Sequence, residues 1–295
     1  MRSKGWTRPE RLSKSGAGCR EADLSDTLDA LRSSGEGGGA TLARTLLKGL
    51  QVMEAFDAGH RELSLTEIVK MTGLEISGAR RLLTTLVSAG YLQQDARSRR
   101  YRLSAKVLAW SVAYLGNDPL VACAYPVLQN VAQETGHQFE LCVLNETDCV
   151  VLLSMTGAAQ KLSLVKGPSV GVREPAFCSP TGLAILAHMP QRAAFALIDA
   201  GPRERMTDHT VTEIEAIMQA LSRTRETGYA ITDRACHPRA VCLGAPVFDY
   251  AGQPIAAVAI TLDINEYTPA RAEKEYASVI LKTAQAVSLA YQRST

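Results

Sequence analysis

The feature that most restricts the fold of this chain is a capping box followed closely by a helix-breaking glycine and a second amphipathic segment. Ser64 stands three residues before Glu67. The serine hydroxyl can accept from the glutamate N–H while the carboxylate reaches back to the serine N–H, which starts a helix. Leu65, Ile68, Val69 and Met71 give that helix an apolar side, and Gly73 stops it as a C-cap glycine does. A further helix is expected from about residue 77 to residue 89. It turns Ile76, Ala79, Leu82, Leu83, Leu86 and Val87 inward and Ser77, Arg80, Arg81, Thr84 and Ser88 outward. Upstream, Leu42, Leu46, Leu50, Met53 and Phe56 recur at helical spacing, so residues 41–57 are expected as an amphipathic helix. Downstream, residues 91–94 and 101–103 flank an Arg-rich polar stretch, the pattern of a β-hairpin with a basic tip. This is the element order of a winged helix-turn-helix.

Such an order suits duplex DNA. A helix fits the major groove, where each base pair shows its own donor and acceptor pattern. Arg80 and Arg81 can take guanine O6 and N7 or phosphates, and Ser77, Thr84 and Thr85 can bond phosphates or base edges. Ser64, opening the preceding helix, joins the expected DNA-contacting set. Arg97, Arg99 and Arg100 would follow the backbone or enter a minor groove. Charge is distributed in keeping with this. Residues 1–103 hold 17 Lys and Arg against 12 Asp and Glu, residues 104–295 hold 15 against 18, and the net +2 conceals that asymmetry. A solvated basic face is the plainer alternative for an Arg-Arg pair, but the capping box, turn and hairpin in register favour DNA.

At 295 residues the chain is expected to hold about two domains. With 46% hydrophobic and 21% charged residues it has a globular balance, which excludes a disordered or collagen-like chain. Apolar runs such as residues 255–262 fall short of the ~18 residues of a membrane span, so no membrane partner is expected. No apolar stretch follows the basic start, so no signal peptide is expected and the expected location is cytoplasmic. Residues 1–40, rich in Ser, Gly and Arg, are expected to be a disordered extension with at most a weak helical turn at 25–31. Residues 41–103 form the expected winged helix-turn-helix domain, a helix at 104–115 lies in a linker covering 104–118, and 119–295 form a mixed α/β domain. In that domain helices are expected at 120–135, 179–188, 191–199, 212–227 and 269–292, the fourth opened by a second capping box at Thr210 and Glu213. Strands are expected at 139–144, 149–155, 161–166, 229–232, 241–248 and 255–262, making the fold class α+β.

The seven cysteines, Cys19, Cys123, Cys142, Cys149, Cys178, Cys236 and Cys242, are odd in number and form no C-x-x-C pair. Neither a disulfide framework nor a four-cysteine zinc knot is expected. Cys236-His237 with Cys242 matches no standard zinc spacing. Cys178 and His188 would lie about three helical turns apart, too far for a nucleophile and its base. No Gly-rich phosphate loop, H-E-x-x-H or G-x-S-x-G occurs. No metal, cofactor or catalytic residue is expected, and the chain is not expected to be an enzyme.

The residues from Leu63 to Leu74, Arg81 to Leu86, Gly90-Tyr91-Leu92 and Tyr101-Arg102-Leu103 resemble the N-terminal pattern of the IclR family of bacterial transcription regulators. The likeness departs at the start of the third helix, where the family's Pro, Lys or Arg, Ser, Thr, Val gives way to Glu75, Ile76, Ser77, Gly78 and Ala79. It resumes in Gly171-Val172-Arg173-Glu174-Pro175, in the residues from Ser179 to Ala187, in Gly228-Tyr229-Ala230, and from Cys242 to Asp249. The resemblance spans residues 41–295 and implies a GAF-like C-terminal domain that binds a small effector, commonly an organic or aromatic acid. Carried over position by position, the effector contacts would be Leu164, Thr181, Gly182, Thr232, Asp233, Cys242, Ala259 and Thr261. The helix N-terminus at Thr181 and Gly182 would favour an anion, and the small residues 259 and 261 would leave room for it. The expected partners are double-stranded operator DNA, the effector, and further copies of the chain in a homodimer or tetramer. Repression is the expected mode. The alternatives are activation on the same scaffold, a non-specific DNA-binding protein, or an enzyme.

Overall fold

The computed structural model describes residues 42–57, 59–158 and 170–294. The extension expected at 1–40, with its turn at 25–31, and the strand expected at 161–166 lie outside the described residues. The chain forms two compact units that divide between Val112 and Ala113.

In the first unit, α1 (Arg44–Glu54), α2 (Leu65–Thr72) and α3 (Ile76–Ser88) precede a two-stranded hairpin of β1 (Leu92–Gln94) and β2 (Tyr101–Leu103). The capping box at α2 is formed: the Ser64 N–H donates to Glu67 Oε2 at 2.7 Å, and Ser64 Oγ accepts from the Glu67 N–H at 3.3 Å. Gly73 then takes φ +63°, a left-handed conformation that costs glycine little. Val52, Phe56, Leu63, Ile68, Leu83, Leu92 and Tyr101 close the core of this unit. Each large apolar side chain so buried contributes about 1.5–3 kcal/mol. Leu63 and Tyr101 exchange backbone hydrogen bonds of 2.9 and 2.7 Å, which ties the hairpin to the chain just before α2.

Where one helix over 104–115 is expected, a 3-10 turn (Ala105–Val107) leads into α4 (Leu108–Leu115). Ser104 accounts for the tightened start: its hydroxyl accepts from the Lys106 N–H and donates to the Gly90 carbonyl. Lys106 donates to the Ala89 carbonyl at 2.8 Å, placing a cation at the carbonyl end of α3.

The second unit is a six-stranded, wholly antiparallel sheet in the order β5-β4-β3-β8-β7-β6. Its strands are β3 (Gln138–Asn145), β4 (Asp148–Thr156), β5 (Arg173–Pro175), β6 (Ala230–Asp233), β7 (Ala240–Phe248) and β8 (Pro254–Asp263). Helices α5 (Pro119–Thr135) and α9 (Pro269–Ser294) cover one face; α6 (Pro180–His188), α7 (Gln191–Ala200) and α8 (Ile214–Thr227) lie on the other. Period-two alternation sorts the central strands. Val241, Leu243, Ala245 and Val247 of β7 and Ala256, Val258, Ile260 and Leu262 of β8 pack toward α5 and α9. The intervening Cys242, Gly244, Ala257, Ala259 and Thr261 are all small, and this is the face that meets α6.

Two expectations need correction. No capping box opens α8: Glu213 is its N-cap without a side-chain bond, because the Thr210 hydroxyl donates instead to the Ala235 carbonyl at 2.7 Å. Strand β5 is an addition, three residues long, pairing with Asp148–Val150 through Arg173–Pro175.

Candidate functional site

Helix α3 carries Ser77, Arg80, Arg81, Thr84 and Thr85 on its exposed face. The arginines are free to act as ligands: neither has a side-chain hydrogen bond or ion pair among the described residues. The threonines are placed differently. Thr84 and Thr85 donate their hydroxyls to the carbonyls of Arg80 and Arg81, at 3.0 and 2.9 Å, so a phosphate could meet them as donors only after rotation. Ser64 is engaged as the cap of α2.

In the wing the three arginines divide. Arg97 and Arg99 are exposed at the tip, with Arg99 at φ +58°. The Asp95 carboxylate shapes that tip by accepting from the Arg97 N–H, the Ser98 N–H and the Ser98 hydroxyl, bonds that hold it below the ordinary carboxylate range. Arg100 turns inward. It reaches the Glu62 carbonyl and Glu67 Oε2, both at 2.8 Å, and so clamps the wing to the start of α2. The Ser64 N–H and hydroxyl, with Arg100, hold Glu67 down at about 2.

The second unit contains a pocket of about 380 Å³, counting its open mouth, between the small-residue face of β7 and β8 and the start of α6. Thr181, Thr232, Cys242, Ala259 and Thr261 line it together. Gly182 and Asp233 do not line it. A Cβ on Gly182 would stand 2.2 Å from the Ala176 carbonyl oxygen, so that glycine serves close packing, and Asp233 turns to Arg234 at 2.8 Å. Leu164 lies outside the described residues. Gly244 allows the approach of α6, since a Cβ there would stand 2.5 Å from the Pro180 carbonyl oxygen.

The α6 terminus offers fewer donors than a bare helix end. Pro180 has no N–H, and the Gly182 N–H is taken by Ser179 Oγ at 3.1 Å. Thr181 remains, 1% exposed, its hydroxyl buried beside the Cys142 and Cys149 thiols and without a nitrogen or oxygen partner.

Sequence reasoning missed the acid and imidazole groups of this pocket. Glu140 accepts from Gln138 Nε2 at 2.7 Å and from Ser154 Oγ at 3.1 Å. Glu174 meets His237 Nε2 at 2.8 Å. Burial pulls the His237 imidazole down, but the Glu174 hydrogen bond and charge outweigh it and leave it above its ordinary value. Glu140 was detectable as a charged residue in a largely apolar strand, and it is half-buried. Glu174 and His237 become neighbours only through the edge strands. Burial pushes the Cys149 and Cys242 thiols up to about 12, which leaves these two poor nucleophiles. Among the described residues, no group of three or more His, Cys, Asp and Glu is arranged to hold a metal ion, and no single helix is long and apolar enough to cross a membrane.

A winged helix-turn-helix unit, and a separate α/β unit with a pocket lined by small and polar side chains, are the parts of a transcription regulator. Residues 45–96 match the IclR helix-turn-helix domain and residues 112–289 the bacterial transcriptional regulator IclR C-terminal domain; the chain belongs to the IclR family. It is similar to the transcriptional repressor IclR of Escherichia coli K12, 27% identical over 248 residues, 84% of this chain and 90% of that one. It is also similar to the p-hydroxybenzoate hydroxylase transcriptional activator of Acinetobacter baylyi, 28% identical over 227 residues, 76% of this chain and 83% of that one. Among solved structures, an IclR homolog from Microbacterium hydrocarbonoxydans complexed with 4-hydroxybenzoate has the same fold, with TM-score 0.68, 22% identity, and coverage of 85% of this chain and 100% of the other.

Proposed function

We propose that this regulator is a cytoplasmic, homodimeric repressor that releases its operator when an organic or aromatic acid enters the pocket, and that it has no catalytic activity. The observation that carries the acid is Thr181, whose buried hydroxyl lacks a nitrogen or oxygen partner at a helix N-terminus on the pocket wall. His237 adds a proton donor on the same wall. Thr232, Cys242, Ala259 and Thr261 supply the remaining contacts. DNA is contacted by Ser77, Arg80 and Arg81 from α3 and by Arg97 and Arg99 from the wing, with Arg100 positioning the wing. Residues 41–103 are the DNA-binding domain, 104–118 the linker and 119–295 the effector domain.

A second copy is the fitting partner for the apolar side chains that α1 and α4 expose. Leu46 is 62% exposed, Trp110 52%, Val112 68% and Tyr114 57%. Two-fold pairing also suits the pseudo-palindromic sites that helix-turn-helix dimers read.

Fluorescence anisotropy on DNA from upstream of the protein's own gene, with excess unrelated DNA at ~150 mM salt, tests the function. Tight binding that survives the competitor, is lost in Arg80→Ala/Arg81→Ala, and is released by an organic acid is the expected result. Binding that any DNA competes away points to a non-specific protein instead.

A further inference from the structure

We propose that Cys178 and Cys236 form an oxidisable thiol pair in the pocket wall, which a hydroperoxide converts to a disulfide that fixes the connection between β6 and β7. Its bearing on regulation rests on the proposed effector control; its chemistry does not.

The two sulfurs lie 3.4 Å apart although the residues are 58 positions apart in the chain. Among the described residues no other two thiols are in such contact. Cys178 is buried in the turn before α6; Cys236 is part-exposed and lines the pocket, so oxidant reaches it first. A disulfide requires the sulfurs to close to about 2.0 Å. The segment 234–239 is the part able to give: it is a connection, not a ladder strand, and its start hangs on hydrogen bonds from Thr207 and Thr210 to the Arg234 and Ala235 carbonyls. The same segment carries His237, the partner of Glu174, so the disulfide would fix one wall of the pocket.

In the first step the Cys236 sulfur attacks the peroxide. An S–O bond forms, the O–O bond breaks, and the departing oxygen takes up a proton and leaves as water or an alcohol. Cys178 then attacks the sulfenic sulfur: S–S forms, S–O breaks, and hydroxide leaves as water with the Cys178 proton. Two electrons pass from the sulfurs to the peroxide. The contact with Cys178, together with burial, pushes the Cys236 thiol up, which suits a response to sustained oxidant over a rapid one.

Trypsin separates the pair cleanly. Cys236 is the only cysteine of peptide 235–239 and Cys178 the only one of peptide 174–192, whereas Cys142 and Cys149 share another. The full-length protein is treated with hydrogen peroxide, its remaining thiols are alkylated, and the digest is read by mass spectrometry. The expected species is peptide 235–239 joined to 174–192, lighter than their sum by two hydrogens and reversed by dithiothreitol. In Cys178→Ser the link is lost and Cys236 is trapped by dimedone as the sulfenic acid. Amide exchange over 235–239 slows in the oxidised wild type and not in oxidised Cys178→Ser. Alkylation of both cysteines after oxidation, a link between another pair, or unchanged exchange overturns the proposal. None of these readouts needs DNA or effector, so they stand or fall apart from the regulator function.

Discussion

Thr181 combines two things that seldom coincide in a structural residue: complete burial and a hydroxyl without a nitrogen or oxygen partner. Leaving such a group unpaired costs about 1–3 kcal/mol, so Thr181→Val, which keeps the shape and removes the hydroxyl, should be neutral or stabilising by up to about that amount in chemical denaturation. The same substitution should weaken the acid that releases DNA by roughly tenfold, about 1.4 kcal/mol. A loss of stability with unchanged release would assign Thr181 to packing alone. His237 makes a second residue-scale prediction. Its folded-state value is raised above 6.5, so the pairing with Glu174 contributes stability in full below that pH and loses it as pH rises through the folded value. Denaturation of wild type and His237→Gln against pH should show a gap of about 1–2 kcal/mol on the acid side that closes toward alkaline pH. A gap independent of pH would mean the imidazole acts by shape.

Among the elements, the packing of α6 on β7 depends on a single missing atom. A Cβ on Gly244 would enter the backbone of Pro180 and Thr181, at 2.5 Å from one and 3.0 Å from the other, and backbone cannot swing aside as a side chain can. Gly244→Ala should therefore destabilise by about 1–3 kcal/mol and deform the pocket floor, read as a lowered denaturation midpoint with weakened effector release. Elements of this kind differ in how far the sequence reveals them. The start of α2 was legible because a capping box is chemistry within four residues, and Ser64 and Glu67 form it. Part of the pocket was legible only through the family resemblance, which carried Thr181, Thr232, Cys242, Ala259 and Thr261 to it. Thr210 and Glu213 show the same spacing as Ser64 and Glu67 and make no box, because a carbonyl from a distant segment takes the threonine hydroxyl. Arg100 was indistinguishable from Arg97 and Arg99 in a run of basic residues; only the fold brings Glu67 beneath it. Glu140, Glu174 and His237 sit on separate strands and a connection, so their convergence is a property of sheet order and not of any local pattern.

For the whole molecule, the salt dependence of DNA binding can decide both which arginines touch DNA and how many chains bind. Each phosphate neutralised releases counterions and contributes about 0.9 to the slope of log K against log salt. A wing arginine removed from a monomer should therefore lower the slope by about 0.9, and from a two-fold dimer by about 1.8, because each protomer loses one contact. Arg97→Ala is the informative variant: its side chain is exposed and unpaired among the described residues, so its loss leaves the fold alone. Arg100→Ala is the control. Its guanidinium already answers Glu67 and the Glu62 carbonyl, so the variant should lower the stability of the first unit by up to about 1 kcal/mol while moving the slope little. Titrations on one operator fragment between 50 and 200 mM salt read all three proteins on one axis. A change near 0.9 in Arg97→Ala would remove the dimer from the proposed mechanism, since one chain alone would then be making the wing contact. A large change in Arg100→Ala with stability intact would return that residue to the DNA-binding set and make its bond to Glu67 a feature of the free protein only.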